Sequence, residues 1–502
     1  MKKTSLILLS MLLFSSVLNA QESIMFDKQY LFDNQGSYIR DVKQTADSGF
    51  ICAGGIGFSM YDDRYLLFKT DSAGNLEWYK YSDSSAVHST LWAVDLTKTG
   101  GYVGIGTTQD NPDWHNSGAI VMYDSLGDTL WTKQYAFDNP FIPGTKYKIW
   151  FYDGQYTSDN CILAGGGVKS TESGDTNPIL VKTTLQGDTL WTWRLFEEEN
   201  YILIKSVAET SEGDYIAVGT ANTPIVNEGK ATVAPQRGFI VKISQAGELI
   251  FLKEWTDIDY NLFDDVAINS AGELLIAGTY FYDPPEYPNY YALLVKTDEN
   301  GETIFYKQII YGKNIGIRTL SVSENDEINL VLMYESLLGW EVWHYDVSLQ
   351  RYTNEGDLLW TQYIGGQNVD AWPYSGISTS DNGVAFCGSY PVSYDNNYSW
   401  LVKTDSLGNG PYTDGWINAV ETNIVDNEFS IYPNPACQHF SITSLVDFQI
   451  KEIIIYDISG QIVKMQKTVN FPIHISDLQN GIYIVKLSVN DKIIRKKLII
   501  EH

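Results

Sequence analysis

Short apolar runs that end in turn residues recur along most of this chain. Three of them are LLFKTD (66–71), LLVKTD (293–298) and WLVKTD (400–405), and a Gly follows each one three residues later. Runs of this length that are rich in Leu, Val and aromatic residues and end in Asp, Asn or Gly are typical of β-strands. No stretch between them has the spacing of an amphipathic helix. The pattern therefore predicts an all-β chain.

The glycines that follow these runs mark a repeat. They are 53, 60, 60, 54, 55 and 52 residues apart, and the pentapeptide GDTLW occurs at two of them, 127–131 and 187–191. Most units also have an earlier apolar run closed by Gly, such as GFICAG (49–54), and before it a run closed by a polar turn, such as DVAINSAG (265–272). Each unit is thus predicted to contain four short strands, as a β-propeller blade does. The seven glycines are Gly74, Gly127, Gly187, Gly247, Gly301, Gly356 and Gly408.

The seventh unit lacks an outermost strand, because NGPYTDGW (409–416) places Pro and Gly where that strand would run. Near the N-terminus, FDKQY (26–30) matches the outer-strand segments WTKQY (131–135) and FYKQI (305–309). We therefore predict a seven-bladed β-propeller over residues 21–417, in which the N-terminal strand closes the last blade and removes an open sheet edge. A six-bladed ring or an open array is the alternative.

An aromatic residue four positions after most of these glycines is predicted to plug the space between neighbouring blades. An aromatic side chain can bury about 150–250 Å² in such a position. The Gly itself supplies the positive φ that a tight turn needs. The predicted plugs are Trp78, Trp131, Trp191, Phe251, Phe305, Trp360 and, from the N-terminal strand, Phe26.

The units resemble the SBBP-type β-propeller repeats. The resemblance is carried by LLWTQYIGG (358–366), TSDNGVAFCG (379–388) and LVKTDSLG (401–408), and it extends over roughly residues 23–410. It implies a propeller scaffold and no particular activity. Two cysteines, Cys52 and Cys387, fall in the strands where the ring would close. Small buried thiols are expected there, with a disulfide bond as the alternative.

The charge of the chain changes sharply near its C-terminal end. The whole sequence has a formal net charge of −28, which argues against a nucleic-acid partner because such a surface repels phosphate groups. Residues 429–502 contain eight Lys or Arg and six Asp or Glu, whereas residues 21–428 contain 24 and 56. The break predicts a domain boundary, with residues 418–428 as a polar linker.

The first twenty residues have the pattern of a secretory signal peptide. Lys2 and Lys3 precede an apolar run over residues 6–17, and Ala20 is a suitable residue for cleavage. A membrane anchor is the alternative. No other run approaches the about 20 apolar residues of a membrane-spanning helix, so no transmembrane segment is predicted in the mature chain.

The C-terminal residues 429–502 are rich in Ile and lack the repeat. Alternating Ile and Tyr residues, with Ser-Gly and Asn-Gly turns, predict a small β-sandwich. The blocks FSIYPNP (429–435), IIIYDISGQIV (453–463), LQNGIYIVKL (478–487) and RKKLII (495–500) follow one another in this tail.

These four blocks, in this order, resemble the type A C-terminal sorting domain of the type IX secretion system. The resemblance implies entry into the periplasm by the general secretory route and export across the outer membrane of a Bacteroidetes-like bacterium. The secretion machinery would be the partner, and the protein would be released or attached to the cell surface. An ordinary accessory β-sandwich is the alternative. The matching positions are Tyr432, Pro433, Asn434, Pro435, Tyr456, Gly460, Gly481 and Tyr483.

The sequence contains no recognisable catalytic constellation and no metal-ligand spacing. It has no nucleophile elbow, no HExxH motif and no phosphate loop, and the three His residues of the predicted propeller belong to different units. The pairs Asp62-Asp63 and Asp264-Asp265 could bind Ca²⁺ or act in acid–base catalysis. They lack an EF-hand pattern and are expected to lie on a solvated surface. No cofactor is therefore predicted.

The connections between the second and third strands, and between successive units, are long and variable, and we expect them to share one face. Variable loops on a rigid scaffold commonly bind ligands, and Tyr and Trp beside Asp and Asn suit a sugar or a peptide. The alternative is that these aromatic residues only pack the loops together. The favoured function is a non-catalytic binding or adhesion module, and a secreted glycan hydrolase or lyase is the alternative. The candidate ligand-binding aromatics are Trp114, Tyr282, Tyr287 and Tyr394.

Overall fold

The chain divides into two compact units, Met1–Asn418 and Ala419–His502. Among the residues that the structure describes, every regular element is a β-strand, so the protein is all-β. The structure is a computed structural model. It describes residues 24–57, 63–82, 87–110, 115–137, 147–169, 176–195, 201–222, 226–227, 230–231, 236–282, 289–309, 313–337, 343–364, 371–393, 396–411, 416–417, 429–444, 450–457, 462–467, 472–489 and 492–501.

An N-terminal strand, β1 (Phe26–Tyr30), precedes three units of four strands each. The strands of these units are β2 (Gly36–Gln44), β3 (Phe50–Gly57), β4 (Asp63–Thr70) and β5 (Leu76–Tyr81); β6 (Val87–Leu96), β7 (Tyr102–Asp110), β8 (His115–Tyr123) and β9 (Thr129–Tyr135); β10 (Lys148–Tyr156), β11 (Cys161–Lys169), β12 (Thr176–Thr184) and β13 (Thr189–Arg194).

The next four units continue the pattern, with a short additional hairpin inside the fourth. Their strands are β14 (Tyr201–Glu209), β15 (Tyr215–Asn222), the hairpin β16 (Val226–Asn227) and β17 (Lys230–Ala231), β18 (Gln236–Ile243) and β19 (Leu249–Glu254); β20 (Asn261–Ile268), β21 (Leu274–Tyr282), β22 (Asn289–Thr297) and β23 (Thr303–Ile309); β24 (Lys313–Val322), β25 (Ile328–Leu337), β26 (Trp343–Tyr352) and β27 (Leu358–Ile364); β28 (Trp372–Ser378), β29 (Val384–Ser393) and β30 (Asn396–Lys403), followed by β31 (Trp416–Ile417).

Within each unit, consecutive strands pair antiparallel, so each unit is a meander. The third and fourth units are joined by a single parallel pair, Thr176 with Tyr201, and β31 adds to the outer edge of β27. The seventh unit takes its fourth strand from the other end of the chain, because β1 pairs antiparallel with β30 from Phe26 opposite Lys403 to Tyr30 opposite Ser399. This is the pairing that the sequence predicts for the N-terminal strand.

The turn that carries GDTLW is held by the residue at the end of the preceding apolar run. In the second unit, Asp124 Oδ1 accepts the backbone N–H groups of Leu126 and Asp128, both at 2.9 Å. Gly127 has φ +78°, a conformation that favours Gly, and its N–H donates to the carbonyl of Asp124. The recurrence of Asp, Thr or Ser at the end of the run and of Gly three residues later therefore reflects one turn geometry.

The seven predicted plug aromatics lie against the turn glycine of the following unit. A Cβ atom built on each glycine would lie only 2.4–3.4 Å from the ring of the aromatic residue before it in the series. The Gly and the Trp of GDTLW thus act in two different contacts, one with each neighbouring unit. The pairs are Phe26 on Gly74, Trp78 on Gly127, Trp131 on Gly187, Trp191 on Gly247, Phe251 on Gly301, Phe305 on Gly356 and Trp360 on Gly408.

The seventh and first units share an apolar core. Phe26, Phe50 and Cys52 belong to the same buried cluster as Cys387 and Leu401. Both cysteines are free, and burial, together with the proximity of the two thiols, raises the pKa of Cys52 well above its usual value. The prediction of small buried thiols at this junction is confirmed.

The C-terminal unit has two sheets and one apolar core. One sheet has the order β32-β33-β36 and the other β35-β34-β37-β38. Phe440 of the first sheet and Ile455, Val485 and Leu498 of the second belong to one buried cluster. The strands are β32 (Phe429–Tyr432), β33 (His439–Ser444), β34 (Ile450–Asp457), β35 (Ile462–Gln466), β36 (Ile473–His474), β37 (Gly481–Val489) and β38 (Lys492–Ile500).

Substitution of the turn glycines separates the cost of the turn from the cost of the contact between units. Gly127 and Gly100 both have positive φ, but a Cβ on Gly127 would meet the Trp78 ring at 2.4 Å, whereas nothing lies within 4 Å of a Cβ on Gly100. Gly100→Ala should cost the about 1–2 kcal/mol of a left-handed Ala. Gly127→Ala should cost about 1–3 kcal/mol more, because the ring must move. Urea unfolding measures both, and equal losses would contradict the packing role of this glycine.

Candidate functional site

The first strand of every unit carries a β-bulge at the same place. When this strand pairs with the second strand, the register skips one residue, and it does so once in each of the seven units at the equivalent position. A bulge of this kind turns a side chain away from its regular direction and occurs commonly near functional sites. The skipped residues, which we call the bulge ring, are Arg40, Trp92, Tyr152, Lys205, Asp264, Arg318 and Tyr374.

All seven bulge-ring residues line one cavity of about 450 Å³. This volume lies within the range of small-molecule sites, about 300–1,000 Å³. The ring combines three cations, three aromatic residues and one acid. Six of its side chains are partly exposed and that of Arg318 is exposed, so the ring presents polar groups to the cavity rather than to the packed core.

Two of the three cations of the ring, Arg40 and Lys205, stack on its aromatic residues. The Arg40 guanidinium lies 4.3 Å from the centre of the Trp92 ring and 4.1 Å from that of Tyr374. Lys205 Nζ lies 5.0 Å from the centre of the Tyr152 ring, and the Trp92 and Tyr152 rings meet edge to face at 5.1 Å. Such cation–π contacts hold the charged groups in place without neutralising them.

The residue after each bulge forms a second, structural layer. Asp41 accepts the N–H of Val94 in the next unit at 2.9 Å, and Asp265 accepts the N–H of Leu320 at 2.8 Å. In the same way, Asp153 accepts the N–H of Val207 at 2.8 Å. These carboxylates therefore tie one first strand to the next, and their hydrogen bonds satisfy backbone donors beside the bulges.

Four units have no Asp after the bulge, and three of them have a hydroxyl residue there, whereas the second unit has Ala93. Ser375 Oγ donates to Asp41 at 2.7 Å, which links the seventh unit to the first. Ser206 Oγ lies 3.0 Å from Asp153 and 2.9 Å from Asp265. A hydroxyl group has one hydrogen to donate, so it satisfies both carboxyl groups only when one of them carries a proton.

The pKa values agree with a shared proton in this layer. Burial, aided by the charges of Asp265 and Asp41, raises the pKa of Asp153 to about 7, although the Val207 N–H and Lys43 oppose the shift. Burial also raises the pKa of Asp264, against the opposing charges of Lys205 and Arg318.

The acids and the cations of the cavity differ in how they are paired. Lys43 Nζ lies 2.8 Å from the Asp41 carboxylate. By contrast, within the described part of the chain no carboxylate lies at ion-pair distance from Arg40, Lys205 or Arg318. Arg40 Nε is a buried donor with no hydrogen-bond partner in the same residues. The cavity thus contains three cations without an ion-pair partner among the described residues, beside the carboxylates of Asp41, Asp153 and Asp265, which bond to the fold.

A second cavity of about 290 Å³ meets the first at Asp264 and Arg318. It lies between the fifth and sixth units, and its walls include Thr279, Tyr290 and Tyr345. Thr279 lies toward the end of a second strand, and the two tyrosines lie toward the start of third strands. The second cavity therefore extends toward the side of the long connections.

The predicted ligand-binding aromatics cannot be placed at either cavity. Trp114, Tyr287 and Tyr394 lie outside the described residues, and Tyr282 is the last residue of β21, with its side chain outside them. Their role stays a prediction.

The acidic pairs have different surroundings. The expectation of a solvated surface is wrong for Asp264 and Asp265, because both line the cavity. Asp62 lies outside the described residues, and the Asp63 carboxylate lies 3.4 Å from His88 Nδ1. Among the described residues, no group of three His, Cys, Asp or Glu side chains is arranged to hold a metal ion.

The sorting-motif residues take several positions in the C-terminal unit. Asn434 accepts the N–H of Ile499 at 2.8 Å, and Tyr432 beside it is 72% exposed. Tyr483 is buried in the core, and its hydroxyl donates to the carbonyl of Gln479 at 2.9 Å. Gly481 begins β37, Tyr456 lies in β34, Pro433 and Pro435 follow β32, and Gly460 lies outside the described residues.

Residues 430–501 match the family described as the secretion system C-terminal sorting domain. The chain therefore carries a type IX sorting domain. The protein is exported by type IX secretion to the cell surface or the extracellular space, and its sorting domain interacts with the secretion machinery. In the described residues, no helix has the length and apolar character to cross a membrane.

One curated protein is similar to a short part of the chain. Ulvan lyase NLR42 of Nonlabens ulvanivorans is 36% identical over 74 residues, which are 14% of this chain and 14% of that protein. The chain thus matches only a small part of the length of this relative.

The chain is also similar to several solved structures at low sequence identity. They include a protein of unknown function from Dyadobacter fermentans (11% identity, TM-score 0.42, 75% of this chain and 97% of that one). They also include polysaccharide lyase Uly1 (9%, 0.45, 74% and 90%) and the β-propeller domain of the trilobed protease from Pyrococcus furiosus (8%, 0.40, 77% and 98%). At these TM-scores the likeness carries no argument about function.

The raised pKa of Asp153 predicts a pH-dependent stability. The folded state holds this proton to about pH 7, whereas the unfolded value is 3.8. The free energy of unfolding should therefore fall as the pH rises from about 4 through about 7. In Asp153→Asn, the loss of Tm between about pH 5 and pH 8 should be smaller than in the wild type. Asp357→Asn, in an exposed turn, is the control and should keep the wild-type slope, and an unchanged slope in Asp153→Asn would contradict the assignment.

Proposed function

We propose that the first unit is a closed seven-bladed β-propeller over residues 21–417, followed by the linker 418–428 and a β-sandwich over residues 429–502. The pairing of β1 with β30 and the series of seven aromatic rings on seven glycines support a ring, because the series returns from the seventh unit to Gly74 in the first. The hydrogen bond from Ser375 to Asp41 supports the same junction.

We propose further that this exported protein is a non-catalytic binding module whose ligand, a glycan or a surface protein, enters the central cavity. The observation that carries the proposal is that seven bulged side chains from seven first strands meet in one cavity. A bulge that only relieved strain would accept small or apolar residues. All seven positions instead hold Arg, Lys, Asp, Tyr or Trp, which are the side chains that bind ligands.

The bulge-ring residues and the residues that follow them in the sequence make different contacts. The Asp, Ser and Thr residues that follow the bulges bond to neighbouring strands, so the fold uses them. The bulge-ring side chains make no comparable bonds to the backbone, so a binding function explains them better than stability does. The proposed function requires no cofactor.

A glycan lyase or hydrolase is the second candidate, and one observation favours it. Asp153 has a pKa of about 7, so its carboxyl group could exchange a proton at neutral pH. Against it, burial raises the pKa of Tyr152 to about 12, which makes this phenol a poor base. Asp153 is also already bonded to the backbone of two units.

A binding assay followed by a product assay separates the two candidates. We expect the purified protein to retain one class of ligand on a glycan and protein array, and to release no new reducing ends and no unsaturated products from it. Turnover that is lost in Asp153→Asn and kept in Asp357→Asn would instead identify an enzyme.

The sorting domain should be needed for export and not for the folding of the first unit. Along the sequence, the boundary between the two compact units lies between Asn418 and Ala419. A chain that ends at Ile417 should therefore keep the Tm of the first unit. In the native bacterium it should accumulate in the periplasm, as measured by cell fractionation. A reporter fused to residues 419–502 should reach the surface or the medium. Surface delivery of the truncated chain would contradict the role of the tail.

A further inference from the structure

We propose that the bulge ring binds the carboxylate or sulfate group of a short acidic sugar, through Arg40, Lys205 and Arg318. This inference rests on the proposed binding function and names the class of its ligand. Three of the four cations that line the cavity have no ion-pair partner within the described residues, and an oxyanion would supply one.

The partners of the cavity acids decide which groups the fold leaves for a ligand. Five Asp and four Lys or Arg residues line the cavity. Asp41, Asp153 and Asp265 accept backbone N–H groups from neighbouring units, so these three carboxyl groups are used in the fold. Burial raises the pKa of Asp264, the one acid of the ring, although the charges of Lys205 and Arg318 oppose the shift. The groups that have no ion-pair partner among the described residues are mainly the cations of the bulge ring.

The surroundings of Arg40 suit the binding of such a ligand. Its guanidinium is stacked between Trp92 and Tyr374, and its Nε is buried with no acceptor among the described residues. A buried donor without a partner destabilises the unoccupied cavity, and an oxyanion would supply the missing acceptor. The cost is then recovered on binding, which makes the interaction specific for acceptor groups.

The aromatic members of the ring favour a sugar over a bare ion. Trp92, Tyr152 and Tyr374 present flat surfaces within contact distance of the cations, and a pyranose ring can stack on such a surface while its acidic group reaches Arg or Lys. The second cavity continues from Arg318 and could receive a neighbouring sugar unit.

The charge of the rest of the protein limits the length of the ligand. Residues 21–428 have 56 acidic and 24 basic residues, so a long polyanion would be repelled wherever it left the cavity. A short acidic oligosaccharide, or the end of an acidic chain, avoids this repulsion. Affinity should therefore not increase with polymer length.

Calorimetry with small probes of known charge tests the inference. The probes are trigalacturonate, a sulfated trisaccharide, a neutral trisaccharide and inorganic sulfate. We expect one of the two acidic sugars to bind at least about 10-fold more tightly than the neutral sugar, and sulfate alone to bind weakly. Which acidic sugar binds identifies the group as carboxylate or sulfate.

Variants locate the site. Arg318→Gln and Lys205→Gln should each weaken binding of the acidic sugar by about 10-fold, and Arg318→Lys should restore part of it. Lys133→Gln removes a cation outside the cavity and should leave the affinity unchanged. The Tm of each variant shows whether it is folded, and Arg318 is exposed enough for its replacement to be tolerated.

The outcomes distinguish this inference from the proposed function. If the neutral and acidic sugars bind equally and Trp92→Ala weakens both, the cavity binds sugars but the anion inference is wrong. If an acidic sugar binds and no bulge-ring variant weakens it, the cavity is not the site and both proposals fail. If none of the four probes binds, the inference is overturned, while the array assay still decides whether the protein binds another ligand.

Discussion

The contact between an aromatic ring and the turn glycine of the next unit is the constraint on which the first unit depends. It fixes two things at once, since the glycine must have positive φ to make its own turn and must lack a Cβ to leave room for the ring. One residue type satisfies both demands. Each copy contributes the glycine of one contact and the aromatic ring of the next, so the contacts form a chain around the units. The same two demands act at both places, which explains why the pentapeptide GDTLW is identical at 127–131 and 187–191.

The Gly–aromatic contacts between units allow the first strands to contain bulges. Because outer turns and inter-unit cores hold the units in place, each first strand can carry a one-residue shift of register and still pair with the second strand on both sides of it. The Asp, Ser and Thr residues after the bulges restore the hydrogen bonding between neighbouring strands. The bulged side chains themselves contact one another, through cation–π and edge-to-face ring contacts, rather than the backbone of the next unit.

Sequence patterns predicted the fold far better than the site, for a physical reason. Strands, turns and the Gly–aromatic spacing are local features that repeat seven times. The seven units of a single sequence can therefore be compared with one another. The bulge ring is also repeated, but its seven members differ chemically, from Arg40 to Trp92 to Asp264. No single residue type is shared by these seven positions, so no sequence motif marks them. The signal that could have found it is the shared place in the first strand, one residue before the Asp, Ser, Thr or Ala that follows the bulge.

The pair Asp264 and Asp265 shows that the position of a residue in the strand determines the surroundings of its side chain. The two residues are adjacent and identical, and an acidic pair in a strongly acidic chain suggests solvated surface. In the structure, the bulge separates their roles. Asp265 bonds to the Leu320 N–H and the Thr319 hydroxyl of the next unit, while Asp264 faces the cavity beside Lys205 and Arg318. Chemistry alone could not distinguish them, because the difference arises from one extra residue in the pairing of β20 with β21. The bulge thus gives two equal carboxyl groups different surroundings: one bonds to the next unit and the other lies in the bulge ring.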